Sequence, residues 1–137
     1  MLTTRLLASI VAAGLALCAP AALAGDGAIT IAYALANAKA FEGKRITVNA
    51  YVTIQLEETQ VCDDAKPKPF YHHCLWFAFD DGPANTPADM ERYNNRERYW
   101  QAVNKKRVRI SGIFTSAENG HLGIWPAGMR APRLESR

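Results

Sequence analysis

The sequence lacks the short motifs that mark several common enzyme classes. It contains no glycine-rich phosphate loop, no dinucleotide-binding fingerprint and no serine held between glycines in a nucleophile elbow. Its paired acids, Glu57-Glu58 and Asp63-Asp64, do not have the spacing of a calcium-binding loop. We therefore expect a protein without catalytic activity, and we assign no catalytic residue and no cofactor.

An excess of charge of one sign is also missing. The 137 residues carry a formal net charge of +3, which does not by itself indicate nucleic-acid binding, because such domains concentrate basic residues on one surface. Basic residues do cluster between Arg92 and Arg109. The solvated faces of a helix and of the next strand explain this cluster better than a track for phosphates, so nucleic acid is not the expected partner.

Long apolar runs are confined to the N-terminus. Arg5 precedes an apolar run over residues 6–17, and residues 22–24 (Ala-Leu-Ala) have the small-x-small pattern that signal peptidases cleave. The run is too short for a transmembrane helix, and no later stretch would span a bilayer. We predict a signal peptide over residues 1–24 and one periplasmic or secreted domain over residues 25–137, without membrane insertion. A buried N-terminal helix is the alternative.

Cysteine is rare, with three residues in the chain. Cys18 lies in the predicted signal peptide, and Leu17 stands before it where lipoprotein signals have a small residue, which argues against lipidation. Cys62 and Cys74 remain, and in an oxidising compartment two cysteines of a small domain are expected to pair. Between them lies Lys66-Pro67-Lys68-Pro69, which neither a helix nor a central strand accepts, so we predict an irregular loop.

Two helices are predicted. Residues 30–41 are rich in alanine with apolar residues at helical spacing, and they have Thr30 as a candidate N-cap and Gly43 as a candidate C-terminal cap. The second helix begins at residues 86–89 (Thr-Pro-Ala-Asp), because threonine caps, proline fits the first turn and the acid completes a capping box. One apolar stripe of this helix carries Met90, Tyr93, Trp100 and Val103.

Five strands are predicted from alternating apolar residues and turn signals. They cover residues 46–55, 56–62, 74–80 and 107–114, and a last strand with Leu122 and Ile124 that follows an Asn119-Gly120 hairpin turn. Gly112 is expected at a bend or bulge of the fourth strand. With a helix between strands three and four, this order predicts a mainly β fold with two helices, a five-stranded Greek-key barrel of the OB-fold type.

Three segments resemble small exported bacterial OB-fold proteins. Residues 41–51 (FEGKRITVNAY) are similar to the opening strand of those proteins, and residues 106–114 (KRVRISGIF) and 120–123 (GHLG) are similar to their fourth and fifth strands. The chain differs from them at Asn49-Ala50, where a glycine is more usual, and in the insert between the cysteines. The resemblance implies the OB-fold and export, and it implies no catalytic residues.

Aromatic residues are the candidates for a binding surface. OB-fold proteins bind ligands on the face of strands two and three and on neighbouring loops. We expect Tyr51, Trp76 and Trp125 there, with Asn119 and His121 in the adjacent hairpin loop. This surface predicts a periplasmic binding module for a protein or a small ligand, and another envelope or secreted protein is the expected partner. Packing of the aromatic residues beneath the long loop is the structural alternative.

Two other functions remain open. Exposed aromatic rings beside basic groups would stack on bases, which predicts an OB protein that binds single-stranded nucleic acid. His72 and His73, with Cys62 and Cys74, would form a zinc site of a metal-binding protein or enzyme. Neighbouring histidines are expected to point in different directions, however, and oxidised cysteines do not bind metal as thiolates, so a disulfide is favoured and no metal is predicted.

Overall fold

The computed structural model describes residues 27–79 and 85–136, and the predicted signal peptide lies outside them. The described chain is mainly β, with five strands and three α-helices. In chain order the elements are α1 (Ile31–Ala36), α2 (Ala38–Phe41), β1 (Arg45–Gln55), β2 (Glu58–Cys62), β3 (Cys74–Ala78), α3 (Pro87–Gln101), β4 (Arg107–Thr115), a 3-10 turn (His121–Gly123) and β5 (Gly128–Leu134).

Strand β1 connects both halves of the sheet. Its alternating apolar residues are all buried: Ile46, Val48, Ala50, Val52 and Ile54. The first half of β1 pairs antiparallel with β4, and its second half pairs antiparallel with β2. Because one strand serves two neighbours in succession, it must curve, and this curvature allows the sheet to close on itself.

The five strands form a closed ring in the order β1, β2, β3, β5, β4. All neighbouring strands are antiparallel except β3 and β5, which run parallel. A parallel pair needs a long crossover connection, and here the connection contains α3 and β4. The ring encloses an apolar core whose largest fully buried side chains include Phe77, Phe114, Leu75, Ile110 and Met129.

Gly112 lies where β4 departs from regular pairing, as predicted. The register between β4 and β5 shifts between Ser111 and Ile113, which is the irregularity of a β-bulge. A Cβ atom at Gly112 would lie 2.2 Å from the Cγ of Met129. The close approach of Met129 therefore requires glycine at this bend.

The predicted last strand is wrong. Asn119-Gly120 forms no hairpin, and Leu122 and Ile124 lie exposed at the 3-10 turn and beside it. The fifth strand is Gly128–Leu134, which lies beyond the predicted one. Residues 116–127 instead cross the outside of the barrel, where Trp125 is buried. Burial of this indole outweighs the local turn preference of Asn-Gly.

The predicted first helix is two helices, so the prediction of two helices in total is also wrong. Thr30 caps α1 as expected, because its side chain accepts a hydrogen bond from the Tyr33 amide. Asn37 ends α1, and its side-chain Nδ2 donates to the Tyr33 carbonyl at 2.9 Å. This side-chain bond competes with the backbone hydrogen bonds of a continuous helix, so α1 ends at this point and α2 begins after it. Gly43 has the expected positive φ of 72°.

The capping box of α3 is confirmed, but its predicted apolar stripe is not buried along its length. Thr86 and Asp89 exchange the two expected bonds. Of the stripe, Trp100 is buried and Val103 is half-buried, whereas Met90 and Tyr93 are exposed. A helix of 15 residues is about 22 Å long, so only its last turns pack against the end of the ring.

Arg96 and Trp100 attach α3 to the segment that follows β3. The Trp100 ring lies 5.1 Å from that of Phe77 and 5.7 Å from that of Phe79. The Arg96 guanidinium lies 4.2 Å from the centre of the Phe79 ring, a cation–π distance. Burial lowers the pKa of Arg96 from its ordinary value. Among the described residues, no helix has the length and apolar character needed to cross a membrane.

Candidate binding surface

The structure joins Cys62 and Cys74 in a disulfide, as predicted. The two residues are register partners on β2 and β3, so the pairing of the strands brings their sulfur atoms together. Both cysteines are buried. The bond closes the irregular loop over residues 63–73.

The disulfide belongs to a second hydrophobic cluster on the outer side of the barrel. Val61, Leu75 and Phe77 point into the ring, so by strand alternation Cys62, Cys74 and Trp76 point outward. Trp125 covers these outward residues, and its ring centre lies 4.8 Å from that of Trp76. We call Cys62, Cys74, Trp125, Tyr71 and Trp76 the outer cluster.

Trp125 is an interior residue and not part of an exposed surface. It is 2% exposed, and its Nε1 donates a hydrogen bond of 2.8 Å to Oε1 of Gln60, a buried residue of β2. The packing alternative therefore describes Trp125 better than the predicted binding role. As a consequence, the outer face of β2 and β3, where the ligand was expected, is largely covered by the chain itself.

Asn119 also holds this covering segment in place. Its Nδ2 donates to the Trp125 carbonyl at 2.9 Å, and its own carbonyl accepts from the Trp125 amide at 3.1 Å. Trp76 is half-buried beneath the same segment. Tyr51 is half-buried and pairs in register with Cys62, on the neighbouring strand. The structure therefore brings only some of the predicted residues together. Those residues belong to the outer cluster or support it.

His121 is exposed, as a binding residue would be, and it brings two turns together. Its Nε2 lies 3.8 Å from Oε2 of Glu57, in the turn between β1 and β2. Next to these two residues in the sequence are two exposed leucines that the sequence interpretation missed: Leu56 is 94% exposed and Leu122 is 82% exposed. The sequence carried no signal for them, because both residues were predicted to lie in strands.

Two more exposed apolar residues adjoin these turns. Phe70, in the disulfide-closed loop, is 85% exposed, and Ile124 is also exposed. Both line one shallow cavity of about 300 Å³ with Pro69 and Pro126. We call Leu56, Phe70, Leu122 and Ile124 the loop-tip patch.

A larger cleft lies between the disulfide-closed loop and the outer faces of β1 and β2. Its volume is about 510 Å³. The strand side is polar, and Gln60 is fixed there because its Nε2 donates to Oε1 of Glu58 at 2.8 Å. We call it the loop cleft, and its lining residues are Thr53, Gln55, Glu58 and Gln60 from the strands, and residues 65–70 from the loop.

The four residues considered for zinc do not form one site. Cys62 and Cys74 are bonded to each other and buried in the outer cluster. The rings of His72 and His73 stack, with centres 3.6 Å apart, so the expectation that they diverge is wrong. Within residues 27–79 and 85–136, no three histidine, cysteine or acidic side chains are grouped as metal ligands.

Comparison with known proteins gives no relative. A scan against protein-family models, a search of curated proteins and a search of solved structures each find no match. The resemblance to small exported OB-fold proteins therefore stays a prediction. What the protein does has to be inferred from its own surface.

Proposed function

We propose that the protein is a non-catalytic, exported OB-type module that binds another envelope or secreted protein through the loop-tip patch. The strand order, the parallel pair β3–β5 and the position of α3 between β3 and β4 are consistent with an OB barrel. The disulfide is consistent with export, because such bonds persist in oxidising compartments.

The exposure of Leu56 and Leu122 carries this proposal. Each is the sequence neighbour of one partner in the contact between Glu57 and His121, so the two turns lie near each other. Burying a leucine against a partner is worth about 1.5–3 kcal/mol, and clustered apolar side chains on a surface mark interaction sites. The patch therefore offers a partner protein two exposed apolar anchors on neighbouring turns.

A protein partner fits this surface better than single-stranded nucleic acid. Base stacking needs open aromatic faces, but Trp125 is buried and the Trp76 ring packs against it. Leucine side chains do not stack on bases. In addition, Glu57 and Glu58 adjoin the patch, and their carboxylates would repel phosphate groups.

Affinity capture from envelope extracts tests the proposal. We expect the mature protein to retain a partner that the double variant Leu56→Ser with Leu122→Ser releases. The matched control is Met90→Ser with Tyr99→Ser, which changes exposed apolar residues on α3, and it should retain the same partner. Loss of two leucine contacts should weaken the measured affinity by more than about tenfold.

Equal capture by the leucine variant and by the wild-type protein would overturn the proposal. Capture of nucleic acid in place of protein would do the same. Thermal unfolding of both variants should match that of the wild type, because the replaced side chains are exposed.

A further inference from the structure

The loop cleft has a distribution of charge that the proposed function does not use. Lys66 and Lys68 lie on its loop side and are exposed. Within the described part of the chain, neither ammonium group takes part in a hydrogen bond or an ion pair. Glu58 is the one acidic side chain among the lining residues, and it lies on the strand side.

The two lysines are held by a constrained segment. Each is followed by a proline, which fixes one backbone dihedral, and the disulfide closes the loop around them. A loop that is already restricted loses less conformational entropy when it binds a ligand. The lysine side chains remain flexible, but their backbone positions are set.

The strand side of the cleft is polar, and it is braced by Gln60, which is buried and hydrogen-bonded through both its side-chain oxygen and nitrogen. The Gln60 side chain is fixed between Trp125 and Glu58. Thr53 and Gln55 are the neighbouring groups on β1, and Gln60 is the register partner of Thr53. The cleft volume of about 510 Å³ lies within the range of about 300–1,000 Å³ that is typical of ligand sites.

These features select a ligand with carboxylates along one side and N–H donors along the other. Carboxylates would lie against Lys66 and Lys68, whereas N–H groups would face Glu58. An extended peptide with acidic side chains has both, because its backbone supplies the donors. Phe70 at the end of the cleft adds an apolar contact for a neighbouring side chain.

We infer that the loop cleft binds an extended acidic peptide segment of the partner protein, with its carboxylates paired to Lys66 and Lys68. This inference rests on the proposed function, because the same partner would cover the adjoining loop-tip patch through Phe70. A polyanion such as a nucleic acid fits less well, because its phosphate backbone has no N–H groups to donate to Glu58, whereas a peptide backbone does.

Fluorescence anisotropy with two labelled peptides tests the inference. In the first peptide glutamate alternates with leucine, and in the second glutamine replaces each glutamate. At low salt we expect the protein to bind the acidic peptide about tenfold more tightly than the neutral peptide, because the acidic peptide forms two ion pairs that the neutral peptide lacks. This preference should decrease as salt is added.

Charge-reversal variants locate the binding. The double variant Lys66→Glu with Lys68→Glu should lose the preference for the acidic peptide. The matched control, Lys39→Glu with Lys44→Glu, makes the same change of net charge at exposed lysines near α2 and should keep it. Both variants should unfold at the wild-type temperature.

Three results would overturn the inference: no binding of the acidic peptide at low salt, equal binding of both peptides, or equal affinities of the two charge variants. If a single-stranded oligonucleotide competed equally well with the acidic peptide, the lysines would bind anions in general, and this result would also overturn the inference. Failure of the proposed function is a separate result, because it is measured by capture with the leucine variant. If that variant loses the partner and the peptide does not bind, only the present inference fails.

Discussion

Gly120 shows how one residue position decides where the segment between β4 and β5 lies. A Cβ atom at Gly120 would lie 2.5 Å from the Trp125 ring and 2.7 Å from the Trp76 ring. Its φ of 67° is also in the left-handed region that favours glycine. The backbone at Gly120 therefore lies directly against both indoles of the outer cluster.

Gly123 provides a matched control, because it has the same φ of 67° but no atom within 4 Å of a Cβ. We expect Gly123→Ala to lose only the left-handed preference, about 1–2 kcal/mol. Gly120→Ala should lose more than that amount, because its ψ of −164° lies in a region that is nearly restricted to glycine, and it should in addition displace Trp125, which would change tryptophan fluorescence and near-UV circular dichroism. Denaturant unfolding and both spectra check this prediction, and identical behaviour of the two variants would contradict it.

At the scale of elements, the side chain of Glu42 links the end of α2 to the start of the β4–β5 connection. Its Oε2 accepts hydrogen bonds from the amide and the hydroxyl of Ser116, at 2.9 and 2.8 Å. These bonds favour the ionised carboxylate and lower the pKa of Glu42 below its ordinary value of 4.5. The link is exposed, so its contribution to stability is small and screened by solvent.

The lowered pKa gives the link a definite pH dependence. A carboxyl group whose pKa is lower in the folded state stabilises the fold above its unfolded pKa, and this contribution disappears as the pH falls through the folded pKa. We therefore expect Glu42→Gln to unfold at a lower temperature than the wild type at neutral pH. The difference should vanish in acid well below pH 4.5.

The same comparison in a Ser116→Ala background serves as the control for this prediction. Removing the Ser116 hydroxyl leaves only the bond from the amide, so Glu42→Gln should have a smaller effect there. Unfolding temperatures across a pH series measure both effects. A difference between Glu42→Gln and the wild type that persists unchanged in acid would rule out Glu42 ionisation as its source.

Elements whose signals are local could be predicted from the sequence. The alternation in β1, the capping box of α3 and the bend at Gly112 depend on neighbours in the chain or on one close contact, and each is present. Asn119-Gly120 also has the local sequence of a hairpin turn. It forms no hairpin, because Trp125 becomes buried against residues that are distant in the sequence. No local pattern indicates which side of the barrel a connecting segment will cover.

The candidate surface was harder to predict for the same reason. Trp76 and Trp125 lie at the outer face of β2 and β3, but their packing on one another could not be read from the sequence. The exposed Leu56 and Leu122 become notable only when the contact between Glu57 and His121 brings their turns together. Apolar residues are otherwise expected to be buried, so nothing distinguished these two in the sequence.

At the scale of the whole molecule, the protein has two hydrophobic clusters on opposite sides of one sheet. The first fills the ring, and the second is the outer cluster around the disulfide. The bond also supports the N-terminal segment, because Asp63, next to Cys62, accepts bonds of 2.8 Å from the Ile31 and Ala32 amides of α1. The disulfide therefore connects the outer cluster, the loop cleft and α1.

Replacement of both cysteines by serine should separate the outer cluster from the ring. The cysteines are 12 residues apart, and loss of a loop constraint of that size costs about 3 kcal/mol in the free energy of unfolding. The ring core does not contain the bond, so far-UV circular dichroism should retain the β signal. Trp125 loses the packing that the disulfide gives it from beneath and should become accessible to a quencher such as acrylamide.

The loop cleft should respond to the same replacement. Because the bond holds Lys66 and Lys68 opposite the strand side, their release raises the entropy lost on binding, and the acidic peptide should bind more weakly to the serine variant. Reduction of the wild-type protein under mild denaturation is the matched control, since it breaks the same bond without changing the sequence. The prediction would be contradicted if Trp125 stayed inaccessible in the serine variant and the peptide bound with unchanged affinity. Residues 116–127 would then cover β2 and β3 stably without the disulfide.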